Sequence, residues 1–331
     1  MNRIAILGAG GWGTALSIIL ARNSEEVRLW VYEPDLCARM QKTRVNDLYL
    51  PGSFLPPAVS ATNDLCEALS GADVVIAAVP SEYLRGVFRQ IAPLAQPEQV
   101  FVSATKGLEN RTHLRMTEVI TEMLPRFHPK LAVLSGPTFA REVARGAPAA
   151  VTIASVDEDL ARQLQLRFAN STFRFYTNTD VIGVEMGGAL KNVIAIAAGV
   201  SEGLGLGSNA LAAIVTRGLA EITRLACACG ARRETLAGLS GLGDLVLTCT
   251  GALSRNHWVG VELGRGRKLE EILQSMHMVA EGINTTAAAR DLARQKGIEM
   301  AITEQMYAVL FENRPPLDAV RGLMERELKA E

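Results

Sequence analysis

Lys191 and Asp244 are the residues of this chain best suited to carry chemistry. Lys191 interrupts GGALKNVIAIAAG, a helical stretch with no solvent-facing polar stripe. An ammonium there loses its hydration, so it needs a partner and usually a purpose. The plain alternative is a lysine that snorkels to the surface. Asp244 lies in LSGLGDLVLTCT, where Gly238, Gly241 and Gly243 permit close backbone approach. A helix starting near Asp244 puts Thr248 on the same face, four residues on. A carboxylate beside Lys191 keeps the ammonium charged. A charged ammonium can donate to a carbonyl oxygen and stabilise the alkoxide that forms as a hydride arrives. Lys191 and Asp244 are therefore read as catalytic and substrate-contacting.

Ser254-Arg255-Asn256 follows closely. Ser254 can cap the next helix. A helix start, a guanidinium fork and an amide together suit a phosphate group. The bland reading is a capped surface helix.

The glycines at the N-terminus suggest a second ligand. Gly8, Gly10 and Gly13 form G-x-G-x-x-G directly after an apolar strand pattern and before a helical one. In that setting the first glycine permits a tight turn. The second lets backbone approach a pyrophosphate, and the third lets helix and strand pack closely. The helix start then offers N–H groups and a positive dipole end to the phosphates. Glu33 closes the second strand pattern and can accept from adenine ribose hydroxyls. It would repel a 2′-phosphate, so the local chemistry leans toward NAD. No arginine adjoins Glu33, but Arg39 and Arg44 lie further on, and use of NADP stays open. The same segment, MNRIAILGAGGWGTALSIILA, has the early Arg3 and apolar content of a signal peptide. The glycine pattern explains it better.

The elements that must position these groups fall into two halves. RIAILG, VRLWVY, ADVVIAAVP, QVFVSAT and LAVLSG are short apolar runs, with helical patterns between strands. Strands without polar alternation suit a parallel sheet covered on both faces. AAVTIAS and FRFYTN read as the last strands, joined by the helix of DEDLARQLQLRF. The alternation predicts a doubly wound α/β sheet with right-handed crossovers. Ligands of such sheets bind at the carboxyl ends of strands, where VPSEYL, SATKGLE and LSGPTFA lie. Lys106 and Thr138 stand among small residues there. After about Asp180 only helical patterns follow, including NALAAIVTRGLAEITRLACACG, ended by Gly230, and a break at Pro315 and Pro316. The expected domains are a dinucleotide-binding domain over 1–179 and a helical substrate and catalytic domain over 180–331.

Bulk properties agree. The 331 residues suit two domains, and 48% hydrophobic content supports sizeable cores. A net charge of −1 gives no general pull toward nucleic acid or anionic lipid. Five cysteines without paired C-x-x-C motifs point to free thiols in a reducing, cytoplasmic setting. Four scattered histidines suggest no metal site. No run of about eighteen apolar residues occurs, so no membrane insertion is expected.

Taken together, GAGGWGTAL, ATKGLE, SGPTFA, GGALKNVIAI, TRGLAE, GLGDLVLTCT, SRN and AITE resemble the bacterial NAD(P)-dependent glycerol-3-phosphate dehydrogenases over nearly the full length. The resemblance implies a Rossmann-type sheet followed by an all-helical domain, the 6-phosphogluconate-dehydrogenase-like arrangement. It also implies reversible reduction of dihydroxyacetone phosphate to sn-glycerol 3-phosphate with NADH or NADPH, for phospholipid synthesis. By motif, Lys191 resembles the catalytic lysine, the proton acceptor in the oxidising direction, and Asp244 supports it. Lys106, Gly136, Thr138, Ser254, Arg255 and Asn256 resemble substrate contacts. Gly11, Trp12, Lys106, Ala140, Arg255, Val279 and Glu281 resemble cofactor contacts. A homodimer without metal is the implied assembly. The chain departs from the family at Gly11, where many members carry serine. It also departs in VYEPD, where others carry a basic residue, and ENRPPLDAV is weakly constrained. Two other classes stay open: a related dehydrogenase of hydroxy acids or sugar acids, and a non-catalytic NAD-binding sensor.

Overall fold

The protein is seen in a computed structural model that describes residues 2–276 and 280–328. It divides into two compact units, Met1–Lys106 with Leu114–Glu185, and Gly107–His113 with Met186–Glu331.

The first unit alternates strands and helices. In order they are β1 (Arg3–Leu7), α1 (Gly11–Leu20), β2 (Glu26–Trp30), α2 (Pro34–Thr43), β3 (Val59–Thr62), α3 (Leu65–Leu69), β4 (Val74–Ala77) and α4 (Ser81–Ile91). Then come β5 (Val100–Ser103), α5 (Met116–Met123), β6 (Lys130–Ser135), α6 (Ala140–Ala144), β7 (Ala149–Ala154), α7 (Glu158–Phe168) and β8 (Phe173–Asn178). The sheet order is β3-β2-β1-β4-β5-β6-β7-β8. Its first six strands are parallel in the doubly wound order, with the switch point between β1 and β4.

Alternate residues of each strand feed opposite cores, because successive side chains leave opposite faces. Ile4, Ile6, Val74 and Ile76 pack with Leu16 and Ile19 of α1. Ala5, Leu7, Val75 and Ala77 pack with Phe88 of α4 and Ile120 of α5. Both faces are apolar, so the strands read as continuous runs.

Three details correct the sequence reading. β7 runs antiparallel to β6. The β6–β7 connection holds only five-residue α6, which packs on α1, so no helix carries the chain back across the sheet. β3, with the sequence VSAT, escaped notice because it is a short edge strand with exposed Ser60. Glu33 is not the end of β2. It is the N-cap of α2, and Pro34 behind it starts that helix.

The regular elements among the second unit's described residues are all helical. It contains most of α8 (Val181–Gly203), then α9 (Gly207–Ala228), α10 (Arg233–Leu236), a π-helical turn at Leu239–Gly243, and α11 (Asp244–Thr250). α12 (Arg255–Gly264), α13 (Leu269–Gln274), α14 (Glu281–Lys296), α15 (Ala301–Phe311) and α16 (Pro316–Met324) complete it. α9 stops where Gly230 takes φ +100°. α8 is long and apolar enough to cross a membrane by composition, but 89% of its apolar window is buried inside the protein. It is a core helix.

α8 and α12 cross at backbone distance. A Cβ on Gly199 would lie 2.0 Å from the His257 carbonyl oxygen, and one on Gly260 would lie 2.1 Å from that of Ile196. Gly203 and Gly264 meet the same limit one turn on, against Val261 and Val200. Both helices thus carry small residues four apart, which lets their axes approach. Glu221 of α9 makes a different joint. It is 3% exposed and accepts from the N–H groups of Ile302 at 2.7 Å and Thr303 at 3.3 Å, capping α15.

Two stability effects follow. Gly199→Ala should lose about 1–3 kcal/mol in urea unfolding through overpacking. Burial raises the Glu221 pKa above its ordinary value, with the α15 N–H groups opposing. A carboxyl whose folded pKa is raised favours folding when protonated. That contribution is complete below the unfolded value of about 4.3 and fades as pH rises through the folded value. The stability of the wild type relative to Glu221→Gln should therefore fall as pH rises through that window. A flat difference would show that Glu221 titrates as it does in the unfolded chain.

Candidate active site

In the second unit, α8 and α11 bring the two predicted catalytic residues together. Lys191 is 6% exposed and Asp244 is fully buried, so the ammonium does not snorkel to solvent. Lys191 Nζ donates to Asp244 Oδ1 at 2.5 Å and to Thr248 Oγ1 at 2.8 Å. Thr248 donates in turn to the Asp244 carbonyl at 2.5 Å, so the i+4 spacing on α11 builds the acceptor pair. Glycines set the approach of the supporting elements. A Cβ on Gly187 would lie 2.6 Å from the Ser240 carbonyl oxygen in the π-helical turn before Asp244. The neighbouring Cys249 thiol is pushed up to about 12, by burial first, with Lys191 lowering and Asp244 raising it. It therefore stays protonated at neutral pH.

α12 is joined to this pair through the next residues in sequence. Asn256 Nδ2 donates to Asn192 Oδ1 at 3.0 Å, and Asn256 Oδ1 accepts from Gly282 N at 2.9 Å, at the start of α14. The carboxamide thus ties α8, α12 and α14 together. Ser254 is the N-cap of α12, its Oγ accepting from His257 N at 3.2 Å. No acidic residue lies in the first turn. The Arg255 side chain is solvent-exposed by area. Even so, the surrounding protein pulls its pKa below the ordinary value by desolvation, with Glu281 opposing. It stays cationic at neutral pH. Ser254, Arg255, Asn256 and Glu281 thus lie together at the adjoining starts of α12 and α14, and Val279 lies outside the described residues.

In the first unit the glycine turn has the geometry that its spacing predicts. Gly8 sits at φ +108°, and a Cβ on Gly13 would lie 1.9 Å from the Gly8 carbonyl oxygen. A Cβ on Gly10 would meet nothing within 4 Å, so the space over this residue is open. α1 starts there with no side-chain cap and no acid in its first turn. The indole N–H of Trp12 is buried without a hydrogen-bond partner. An open backbone cradle at an uncapped helix start fits a dinucleotide pyrophosphate. Gly11 and Ala140 adjoin, since a Cβ on Gly11 would lie 3.7 Å from that of Ala140. Lys106 Nζ and Thr138 Oγ1 both donate to the Gly136 carbonyl, at 3.0 and 3.2 Å. Those three predicted substrate contacts therefore form one cluster at the carboxyl ends of β5 and β6.

Sequence reasoning missed the loop after α2. Buried Asn46 donates to the Ala9 carbonyl at 2.7 Å and to Thr14 Oγ1 at 2.8 Å, and its Oδ1 accepts from Tyr49 N at 2.9 Å. Tyr49 Oη donates to Glu33 Oε1 at 2.7 Å. A Cβ on Gly11 would lie 3.0 Å from the Tyr49 carbonyl oxygen, which gives a physical reason for glycine there. VNDLYLPG has no periodicity that marks these residues, and its polar side chains read as ordinary loop. Asn192 was equally silent beside Lys191.

Residues 3–161 match the NAD-dependent glycerol-3-phosphate dehydrogenase N-terminus, and residues 180–321 match the C-terminus of the same family. A Koribacter versatilis protein named glycerol-3-phosphate dehydrogenase [NAD(P)+] is 58% identical over 98% of both chains. A Geobacter sulfurreducens protein of the same name is 54% identical over 100% of this chain and 99% of its own. The crystal structure of glycerol-3-phosphate dehydrogenase from Coxiella burnetii superposes with a TM-score of 0.94 at 44% identity, covering 98% of this chain and 99% of that one. The chain therefore belongs to the NAD-dependent glycerol-3-phosphate dehydrogenase family.

Proposed function

We propose that this chain interconverts dihydroxyacetone phosphate and sn-glycerol 3-phosphate with NAD(H) or NADP(H), supplying glycerophospholipid synthesis. The observation that carries the reading is the buried Lys191–Asp244–Thr248 cluster, whose helix is tied by Asn192 and Asn256 to the Ser254-Arg255 cap.

Arg255 and the N–H groups of α12 hold the substrate phosphate, with Ser254 shaping the cap. Fixing that end of a three-carbon substrate limits where its carbonyl can lie and turns binding into orientation. The nicotinamide, when bound, supplies or receives the hydride at the carbonyl carbon. Lys191 Nζ donates to the carbonyl oxygen and gives up a proton as the alkoxide develops. In the oxidising direction Lys191 first releases a proton to solvent, and its neutral amine then takes the proton from the hydroxyl. Asp244 holds the ammonium charged and oriented between turnovers. Asn256 contributes by holding α12 to α8 as well as by touching substrate. We assign Lys106, Gly136 and Thr138 to the substrate too. Gly8, Gly10, Gly11, Trp12, Gly13, Glu33, Lys106, Ala140, Arg255, Val279 and Glu281 are assigned to the cofactor. In this reading residues 1–179 carry mainly the cofactor and 180–331 the substrate chemistry. Five cysteines outside any disulfide support a reducing, cytoplasmic location. The homodimer follows from the family resemblance.

Lys191→Ala should lower kcat by about a hundred- to ten-thousand-fold with the fold intact by circular dichroism. Near-normal turnover would sink the assignment. Arg255→Ala should raise KM for dihydroxyacetone phosphate by about ten- to a hundredfold, the loss of a charge-assisted phosphate contact. The wild type should oxidise NADH with dihydroxyacetone phosphate and not with small keto acids. The reverse preference would favour a hydroxy-acid dehydrogenase.

A further inference from the structure

The loop between α2 and β3 does more than close the sheet. Asn46 and Tyr49 pin it to the glycine turn, through the Ala9 carbonyl, Thr14 and the backbone beside Gly11. From that anchored backbone the Tyr49 hydroxyl reaches the half-buried Glu33 carboxylate. We infer that Tyr49 is a specificity-determining positioning residue, which by holding Glu33 in place makes this chain select NADH over NADPH. The inference rests on the cofactor reading above and adds a determinant to it.

A carboxylate at the N-cap of α2 discriminates only if it stays charged and stays put. A free glutamate can rotate away from an incoming 2′-phosphate, at the cost of little more than a rotamer change. With Oε1 engaged by Tyr49, that escape breaks a hydrogen bond to an ionised group. Oε2 is left to accept from a ribose hydroxyl, which a 2′-phosphate cannot replace as a donor. The phosphate instead brings up to about two negative charges to a fixed carboxylate. Tyr49 remains a donor at every working pH, because burial and then Glu33 push its pKa up to about 12.

Arg39 and Arg44, the arginines that follow Glu33 in sequence, have partners of their own. Arg39 makes a two-pronged pair with Asp47, at 2.9 and 3.1 Å. Arg44 donates to the carbonyls of Leu55, Pro56 and Val59, bracing the far end of the same loop. The loop therefore presents an anchored acid and engages both bases.

The test is calorimetric binding of NADH and of NADPH, without substrate, to the wild type, Tyr49→Phe, Glu33→Gln and the double variant. The wild type should bind NADH at least about tenfold more tightly than NADPH, and Tyr49→Phe should shrink that ratio by about tenfold. Glu33→Gln should shrink it as far, and adding Tyr49→Phe to Glu33→Gln should change it little, since both act through one carboxylate. If Tyr49→Phe weakens both nucleotides by the same factor, the hydroxyl serves structure alone and the proposal fails. A wild type that prefers NADPH overturns it too. Binding of neither nucleotide would overturn the cofactor reading and this inference with it. Glu33→Gln leaves the loop untouched, and an unchanged ratio in that variant overturns the proposal however well the tyrosine variant folds.

Discussion

The structure of the helical unit depends on the cost of burying one ammonium. Removing a charge from water costs several kcal/mol even after the surroundings relax, and deleting one partner of a buried pair costs about 3–5 kcal/mol. Lys191 is tolerable in α8 because Asp244 and Thr248 arrive within hydrogen-bond distance. Hydrophobic residues of similar volume would hold these helices together as well or better. A charged pair stands there instead and joins α11 to α8.

Glycine supplies the spacing in both units, by two different means. At Gly8 and Gly13 the missing side chains let a strand, a turn and a helix close on one another. Along Gly199, Gly203, Gly260 and Gly264 they let two helix axes approach until backbone meets backbone. A contact between backbones has no rotamers to adjust, so the helix bearing Lys191 and the helix bearing Arg255 keep a fixed separation. The Asn192–Asn256 hydrogen bond sets their register along that contact.

Much of this arrangement was legible in the residues themselves. The glycine turn, a buried lysine with its acidic partner and the serine cap are local statements. Each depends on one element or on the cost of an unpaired charge. The inner strands of the parallel sheet were equally plain, because burial on both faces makes their apolar runs continuous, whereas the edge strand β3 was not. Asn46 and Tyr49 were not legible, since a loop has no period and a polar loop residue normally faces water. Asn256 reads as a ligand for phosphate, and only the fold shows its amide spanning three helices.

The sequence by itself determined most of the order of elements, the glycine turn, the helical second half and the identity of the charged pair. These follow from hydrophobic period, from backbone conformations that only glycine reaches easily, and from the penalty on an isolated buried charge. Tertiary structure alone decided that β7 turns back against β6, that Glu33 caps a helix instead of ending a strand, and that a tyrosine sixteen residues away holds it. Those facts depend on where distant segments return, and chain return is set by the packing of whole elements, which no local pattern records.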